Sequence, residues 1–346
     1  MNRFIEETIH PPANRADQAK TRLSAIFKRC IITSSQLRER EVAERKKYLG
    51  EWCREGDLGF IFAQRGRGKT WLGMDIAKAL SQGGGAKVGP WETGEEPLSV
   101  LYIDGEMSLD ATKFRERALP GGANENLHFL HHSVVFEEAE ASLNLTDKMT
   151  QEVITEAVVG YEAKVLIMDN LSSLFYGVKE NDNDGWELVL PWLLNLRRRG
   201  IAVLIIHHAG RNGINMRGAS KREDSAHWIM RLDASIEGEP EQGARFTANF
   251  NKCRNCPQSE AQPVDFYYRP KENGDSGEIE VEWRIVDSLE HFKSCIRDMD
   301  LDTASEIAGQ MAVSPGYVSK LARKAEKAGW CRIQDRRYFF VEYNPK

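Results

Sequence analysis

Residues Ala63-Gln64-Arg65-Gly66-Arg67-Gly68-Lys69-Thr70 follow an apolar run, Leu58-Gly59-Phe60-Ile61-Phe62. They lead straight into a helix-patterned segment, Trp71-Leu72-Gly73-Met74-Asp75-Ile76-Ala77-Lys78-Ala79-Leu80. Strand, glycine-bearing turn and helix in that order form the context of a phosphate-binding P-loop. Backbone N–H groups at the positive end of a helix attract phosphate oxygens. That assigns Gly66, Arg67, Gly68 and Trp71 to the nucleotide-contacting set beside Lys69 and Thr70. Lys69 is placed to reach the β- and γ-phosphates, and the Thr70 hydroxyl to ligate Mg²⁺. Ala63 stands where the motif usually carries its first glycine, and it is small enough for the turn to close. The pattern implies a chain that binds a nucleoside triphosphate, with ATP and Mg²⁺ as the expected ligands.

Composition bounds the rest. The 346 residues suggest about two domains, and 41% hydrophobic residues supply a sizeable core. Net charge is −5, so any nucleic-acid contact must come from local basic patches. There is no apolar run of membrane-spanning length and the N-terminus is polar, so the cytoplasm is the expected compartment. The six cysteines (Cys30, Cys53, Cys253, Cys256, Cys295, Cys331) are scattered and read as reduced thiols rather than a disulfide framework. Cys253 and Cys256 form a single CxxC with no second pair, which argues against zinc.

Three regions separate along the chain. Residues 1–50 read as a helical arm, with Pro11-Pro12 early and a charged run from Arg38 to Lys47. Residues 51–288 alternate between strand-like and helix-like segments, which argues for parallel β-α units. Strands are expected at 58–63, 99–104, 127–131, 164–169 and 201–207, and helices at 70–82, 110–118, 147–160 and 184–199. Later segments at 227–236, 244–252, 264–269 and 278–286 read as antiparallel strands added to that sheet. Residues 289–346 change style and are treated as a separate module.

Further chemistry can be placed on this frame. Val165-Leu166-Ile167-Met168-Asp169 is a buried-strand run ending in an acid, and ligands of α/β sheets collect at the carboxyl ends of strands. Asp169 is therefore the expected Walker-B acid that holds Mg²⁺; capping a following helix is its other use. Leu101-Tyr102-Ile103-Asp104-Gly105-Glu106 ends the preceding strand, and hydrolysis needs a carboxylate to orient or deprotonate water. Glu106 is the candidate and Asp104 the runner-up. Ala202-Val203-Leu204-Ile205-Ile206 ends in His207-His208, where an imidazole can bond the γ-phosphate and sense its loss. Lys252 and Arg254 lie two apart on an expected strand and so share a side, a candidate cation pair for the nucleotide. The polar, glycine-bearing stretch Gly210–Asn215 is a candidate phosphate-gripping loop through Arg211.

Several segments together resemble one family. They are Ile103-Asp104-Gly105-Glu106-Met107, Met168-Asp169-Asn170-Leu171-Ser172-Ser173-Leu174, Leu196-Arg197-Arg198-Arg199-Gly200, Ile206-His207-His208-Ala209-Gly210 and Arg217-Gly218-Ala219-Ser220-Lys221-Arg222-Glu223-Asp224. Over roughly residues 50–255 the chain resembles RecA-like ATPases of the plasmid replicative helicase type, RepA-like and related to DnaB-type hexameric helicases. The resemblance implies a homohexameric ring with ATP at subunit interfaces and single-stranded DNA in the central channel. It gives Lys69 and Thr70 the Walker-A role, Asp169 the Walker-B role and Glu106 that of catalytic base. His207 or His208 becomes the γ-phosphate sensor, and Arg217 a cation acting on the neighbouring subunit's nucleotide. The chain departs from the pattern at Ala63, and no primase-binding domain is evident before the P-loop.

The C-terminal module has its own plan. Thr303–Met311 carries helical apolar spacing, and a Ser314-Pro315-Gly316 turn leads into Tyr317–Ala325, with Ser314 as N-cap and Pro315 at the first helical position. Trp330–Phe340 reads as a small hairpin. From Pro315 to Arg337 the cations are Lys320, Arg323, Lys324, Lys327, Arg332, Arg336 and Arg337, against Glu326 and Asp335. The segment resembles the winged-helix family, whose second helix enters the major groove of duplex DNA, although such modules also dock proteins. The expected fold is thus an α/β RecA-like P-loop core with a mostly parallel sheet, antiparallel additions and a winged helix-turn-helix. The expected activity is an ATP-driven hexameric helicase or translocase of a plasmid or mobile element. An ATP-gated DNA-binding regulator and a recombinase-like filament former are the competing readings.

Overall fold

The computed structural model describes residues 15–175, 183–210, 213, 215–235, 238, 240, 242–257, 260–271, 277–311 and 313–342. Two compact units divide it, Met1–Glu44 and Arg45–Lys346. The first holds helices α1 (Arg15–Cys30) and α2 (Ser34–Glu39). A capping box starts α2: the Gln36 N–H donates to Thr33 Oγ1, and the Thr33 N–H donates to the Gln36 side chain. Pro11-Pro12 lies outside the described residues.

The second unit opens with a hairpin of β1 (Lys47–Leu49) and β2 (Cys53–Arg54). Next come β3 (Leu58–Ala63), α3 (Lys69–Gln82), the short hairpin β4 (Lys87–Val88) and β5 (Trp91–Glu92), and β6 (Val100–Asp104). They are followed by α4 (Leu109–Ala118), β7 (Leu127–His131), α5 (His132–Ala139), α6 (Lys148–Gly160), β8 (Val165–Asp169) and α7 (Asn183–Arg198). The sheet is completed by β9 (Ala202–His208), α8 (Ala219–Ser225), β10 (Trp228–Ala234), β11 (Ala244–Cys253), β12 (Val264–Pro270) and β13 (Ile279–Ile285). Nine strands form one mixed sheet in the order β13-β12-β11-β10-β3-β9-β8-β6-β7. From β10 to β7 all neighbours are parallel.

The central strands β3, β6, β8 and β9 are buried along their whole length, as expected when both faces of a parallel sheet are covered. On one face Trp52 meets Trp91 and Trp228 edge-on, with ring centroids 5.4 and 4.5 Å apart. On the other, α6 and α7 bury Ile154, Val158, Trp186 and Leu193. One expectation needs correcting. The segment at 227–236 is not an antiparallel addition: β10 pairs parallel with β3, Trp228 opposite Gly59. The chain reaches it from β9 through the short crossover helix α8, and only β11, β12 and β13 are antiparallel.

The chain ends in three helices, α9 (Ser288–Arg297), α10 (Ala304–Met311) and α11 (Pro315–Lys327), and a hairpin of β14 (Cys331–Gln334) and β15 (Arg337–Phe340). They share a core of Phe292, Ile307, Val318, Leu321 and Tyr338. Helix α9, capped by the Asp287 carboxylate accepting the Leu289 N–H (2.6 Å), carries no motif and was not legible in advance. One buried guanidinium ties this end of the chain to the sheet. Arg231 of β10 bonds the Asp233 carboxylate (2.9 Å) and donates to the Gln310 carbonyl (2.5 Å).

The cysteines also depart from expectation. Cys253 and Cys256 are joined as a disulfide with Cα atoms 6.1 Å apart, because the turn after β11 brings their side chains within bonding reach. Among the described residues, no helix is long and apolar enough to cross a membrane.

Asp75 of α3 is buried, and its carboxylate accepts the Tyr268 hydroxyl (2.8 Å). Burial pushes its pKa up to about 7, a rise that the Tyr268 hydrogen bond and Lys78 oppose. A raised acid favours the protonated folded state, so its stabilising contribution is complete below about pH 4 and is lost as pH rises through about 7. Asp75→Asn should therefore raise Tm at pH 8, with the gap to wild type closing towards pH 4. A gap that is constant with pH would show that Asp75 is ionised throughout.

Candidate active site

The site lies at the carboxyl edge of the parallel strands. β3 ends at Ala63, and the loop turns through Gly66 (φ 75°) and Gly68 (φ 88°) before α3 begins at Lys69. Both angles are left-handed, where a side chain is strained. At Gly68 a Cβ would also lie 2.5 Å from the Phe246 ring of β11. At Gly66 it would face open space, so that glycine serves the turn alone. Lys69 is 93% buried (7% exposed). Its ammonium donates to the carbonyls of Gln64 (2.9 Å) and Ala63 (3.3 Å). Burial lowers its pKa from the ordinary lysine value, while Asp169 and Glu106 pull it back up.

Asp169 closes β8 beside the helix start. It is buried, hydrogen-bonds the Thr70 hydroxyl and accepts the Tyr102 hydroxyl (2.8 Å). Burial pushes its pKa up to about 6 against those hydrogen bonds. Thr70 and Asp169 thus bring hydroxyl and carboxylate oxygens together, the donor class that suits Mg²⁺.

Glu106 and Asp104 have different surroundings. The Asp104 carboxylate accepts the Glu106 N–H (3.1 Å), the Met107 N–H (3.0 Å) and the Thr112 hydroxyl (2.6 Å). It therefore shapes the turn that presents Glu106. Glu106 is exposed at the pocket and accepts a short hydrogen bond from the Asn170 amide. The Asn170 Oδ1 is occupied by the N–H groups of Ser172 (2.9 Å) and Ser173 (3.2 Å). Its Nδ2 is thereby directed at Glu106 and, 3.4 Å away, at His208 Nε2.

Strand alternation separates the two histidines. His208 lines the same cavity as Lys69 and Glu106. Burial, then Lys69, lowers its pKa, which keeps the ring neutral. Its Nδ1 is a buried atom with no partner among the described residues. His207 does not line that cavity. Its Nε2 lies 2.7 Å from Arg222 Nη1 and 3.1 Å from the Arg217 carbonyl. Arg217 is half-buried; its N–H donates to the His208 carbonyl (3.1 Å), and its carbonyl accepts from Arg222 (2.6 Å). The Arg217 backbone therefore spans both histidines, although the residue is not part of the cavity wall. Arg211 lies outside the described residues.

Lys252 and Arg254 are not brought to the P-loop of their own chain. Lys252 pairs with Ile229, which in turn pairs with Phe60 near the start of β3. That is the end of the strands opposite the P-loop. The Lys252 ammonium donates to the Glu223 carbonyl and Arg254 to the Asp224 carbonyl (3.2 Å). Both cations thus meet the last turn of α8, where a helix dipole favours positive charge.

The cavity of about 360 Å³ is lined by P-loop residues with Trp71, Glu106, His208 and Arg115. Sequence reading missed Arg115 of α4. Its guanidinium lies over the Trp71 ring (5.2 Å) and donates to Met107 Sδ (3.0 Å). No motif marks it among the neighbouring Lys113 and Arg117. Asn170 was also missed, although Asn followed by Ser172 and Ser173 has the pattern of an Asx turn.

At the C-terminal end, Lys320, Arg323 and Lys324 stand exposed on α11, opposite its buried Val318, Leu321, Ala322 and Ala325. The Ser314 hydroxyl accepts the Tyr317 N–H (3.2 Å) and caps that helix. Arg336 and Arg337 are exposed at the hairpin turn, with Arg337 paired to Asp302 (2.6 Å).

A family model described as an AAA domain matches residues 27–213. No curated protein matches the sequence. Among solved structures, the flagellar accessory protein FlaH from Methanocaldococcus jannaschii is similar at 16% identity, over 66% of this chain and 90% of that one, with a TM-score of 0.44.

If Asn170 holds Glu106 in place, Asn170→Ala should lower kcat for triphosphate hydrolysis by about tenfold or more with KM little changed. An unaltered kcat would remove Asn170 from the site.

Proposed function

The chain belongs to the AAA-domain family of P-loop ATPases, and from that premise we propose a Mg²⁺-dependent ATPase working as a homohexameric DNA helicase or translocase. The observation that carries the hydrolytic part is the convergence of Lys69, Thr70, Asp169, Glu106 and His208 on one edge of the sheet. Lys69 would hold the β- and γ-phosphates, and Thr70 with Asp169 would hold Mg²⁺. When bound, that ion neutralises charge on the phosphate oxygens. Glu106, held by Asn170, would orient the attacking water and take its proton. His208 rather than His207 would sense the γ-phosphate, because it is the histidine that shares the cavity with Lys69.

The Arg217 backbone bridges both histidines, so a change at His208 has a direct route to that residue. This supports Arg217 as the cation supplied to the next subunit's nucleotide, where developing negative charge needs a partner. The exposed cations on α11 and the hairpin turn support duplex DNA as a second ligand of residues 289–346, acting as a winged helix. The compact unit beginning at Arg45, whose β1–β2 hairpin buries Tyr48 and Leu49, moves the expected boundary at residue 50 forward; residues 45–288 would then be the ATPase core and the helices before Arg45 an arm. Single-stranded DNA in a ring channel, a cytoplasmic setting and a role in plasmid or mobile-element replication complete the reading.

ATP hydrolysis with and without single-stranded DNA, on samples sized by mass photometry, tests it. We expect a six-subunit species strongly stimulated by DNA. Weak, DNA-indifferent turnover by a monomer or dimer would favour an ATP-gated regulator. Lys69→Ala should abolish turnover, and retained activity would sink the P-loop assignment. Arg217→Ala should stop turnover while leaving ATP binding intact; loss of binding would rule out a role in trans.

A further inference from the structure

A second cavity, about 790 Å³, opens at the amino ends of the parallel strands, on the opposite edge of the sheet from the P-loop. Arg45, Arg197, Arg198, Arg199 and His227 line it, with Glu55 as the one acid among its lining residues. The sequence concentrates this charge: Arg197 and Arg198 close α7, Arg199 follows in the turn, and Gly200 lets the chain turn back into β9.

The four arginines are not equally satisfied. Arg45 is neutralised by Asp57 (2.6 Å) and further bonded to Asn255 Oδ1 (3.2 Å) and the Glu55 carbonyl (3.0 Å). Among the described residues, the Arg199 side chain reaches only the Asn195 amide oxygen (2.9 Å). Arg198 is exposed and has no side-chain partner among the described residues. Arg197 is half-buried and donates to the Gly56 carbonyl (3.2 Å). None of Arg197, Arg198 or Arg199 meets a carboxylate among the described residues.

The contact between Arg197 and His227 points to a ligand. The Leu58 N–H donates to His227 Nδ1 (3.1 Å). A backbone N–H can only donate, so Nδ1 is the bare nitrogen and a neutral ring carries its proton on Nε2. Burial, then Arg197, Arg45, Arg254 and Lys252, push the His227 pKa down to about 4, which keeps the ring neutral. His227 Nε2–H therefore faces Arg197 Nη2 at 3.0 Å, donor against donor. An oxygen anion would accept from both. Asp57 lies 3.5 Å from Nδ1, on the other nitrogen. The Glu55 carboxylate is turned towards the Lys46 N–H (3.4 Å).

We propose that this cavity is an oxyanion site that takes a phosphate group, either free phosphate or a phosphodiester of a nucleic-acid strand, between Arg197, His227 and the exposed Arg198 and Arg199. The site is independent of the ATPase reading, since it shares no residue with the nucleotide pocket.

The test uses the full-length chain carrying Lys69→Ala, so that the P-loop loses its own phosphate-binding cation. To this parent are added Arg198→Ala with Arg199→Ala, or Arg197→Lys alone. The first pair alters exposed side chains, and the second keeps the charge but removes the planar donor fork. Thermal melts in chloride show that each variant folds. The probes are inorganic phosphate at constant ionic strength, read as a rise in Tm, and a fluorescein-labelled thymidine 12-mer, read by anisotropy. Both variants should weaken the response of the parent to at least one probe, by about tenfold or more. Loss confined to phosphate assigns a free anion. Loss of oligonucleotide binding, with the slope of log Kd against log salt falling by about 0.7 per contact, assigns a nucleic-acid backbone. Parent-like binding of both probes by either variant, or a parent that binds neither probe, overturns the proposal.

Discussion

Lys69 and Asp169 are buried close together at the carboxyl edge of β3 and β8, and everything at the site follows from that confinement. Burial works against the charge of each: it lowers the lysine pKa and raises the aspartate pKa to about 6. One pKa unit corresponds to roughly 1.4 kcal/mol, so a charge stranded there is expensive and each group gains from the other. The neighbouring polar contacts extend the same logic. Tyr102 donates to Asp169, Asp104 accepts two backbone N–H groups and a hydroxyl, and Asn170 uses both ends of its amide. A polar cluster this dry holds its shape only when nearly every group is satisfied. Among the described residues, His207 Nδ1 and His208 Nδ1 are buried atoms left without a partner.

Coupling beyond the pocket runs through backbone and one cation. β9 carries His208 to the cavity and His207 to Arg222 by simple alternation, and the turn bearing Arg217 is hydrogen-bonded across both. On the neighbouring side of β3, Arg231 joins the sheet to the carbonyl at Gln310. A hydrogen bond to a charged donor contributes about 1.5–3 kcal/mol, whereas an exposed pair such as Lys46 and Glu96 is screened by solvent.

Much of the fold was legible because its signals are local. Apolar runs such as Val165–Met168, short, β-branched at the start and followed by an acid, fit buried strands, and glycines at 66 and 68 flag a left-handed turn before a helix. The Ser314-Pro315 start of α11 announces itself for the same reason, through capping and the fixed proline φ. The direction of β10 was not legible, since a strand's partner depends on the crossover and not on its own residues. Neither was the Cys253–Cys256 bond. A spacing of three permits it without requiring it.

The candidate site divides along the same line. Lys69, Thr70, Asp169 and Glu106 each sit at the end of an element whose type and direction their own segment declares, so the sequence by itself determined which edge of the sheet they share. Only the tertiary structure decided that His208 enters the cavity while His207 leaves it, because a one-residue register exchanges the two faces of a strand. Only packing brought Arg115 over Trp71 and set Arg197 against His227. These pairs join helices and strands far apart in sequence, and their geometry exists only after the sheet has assembled.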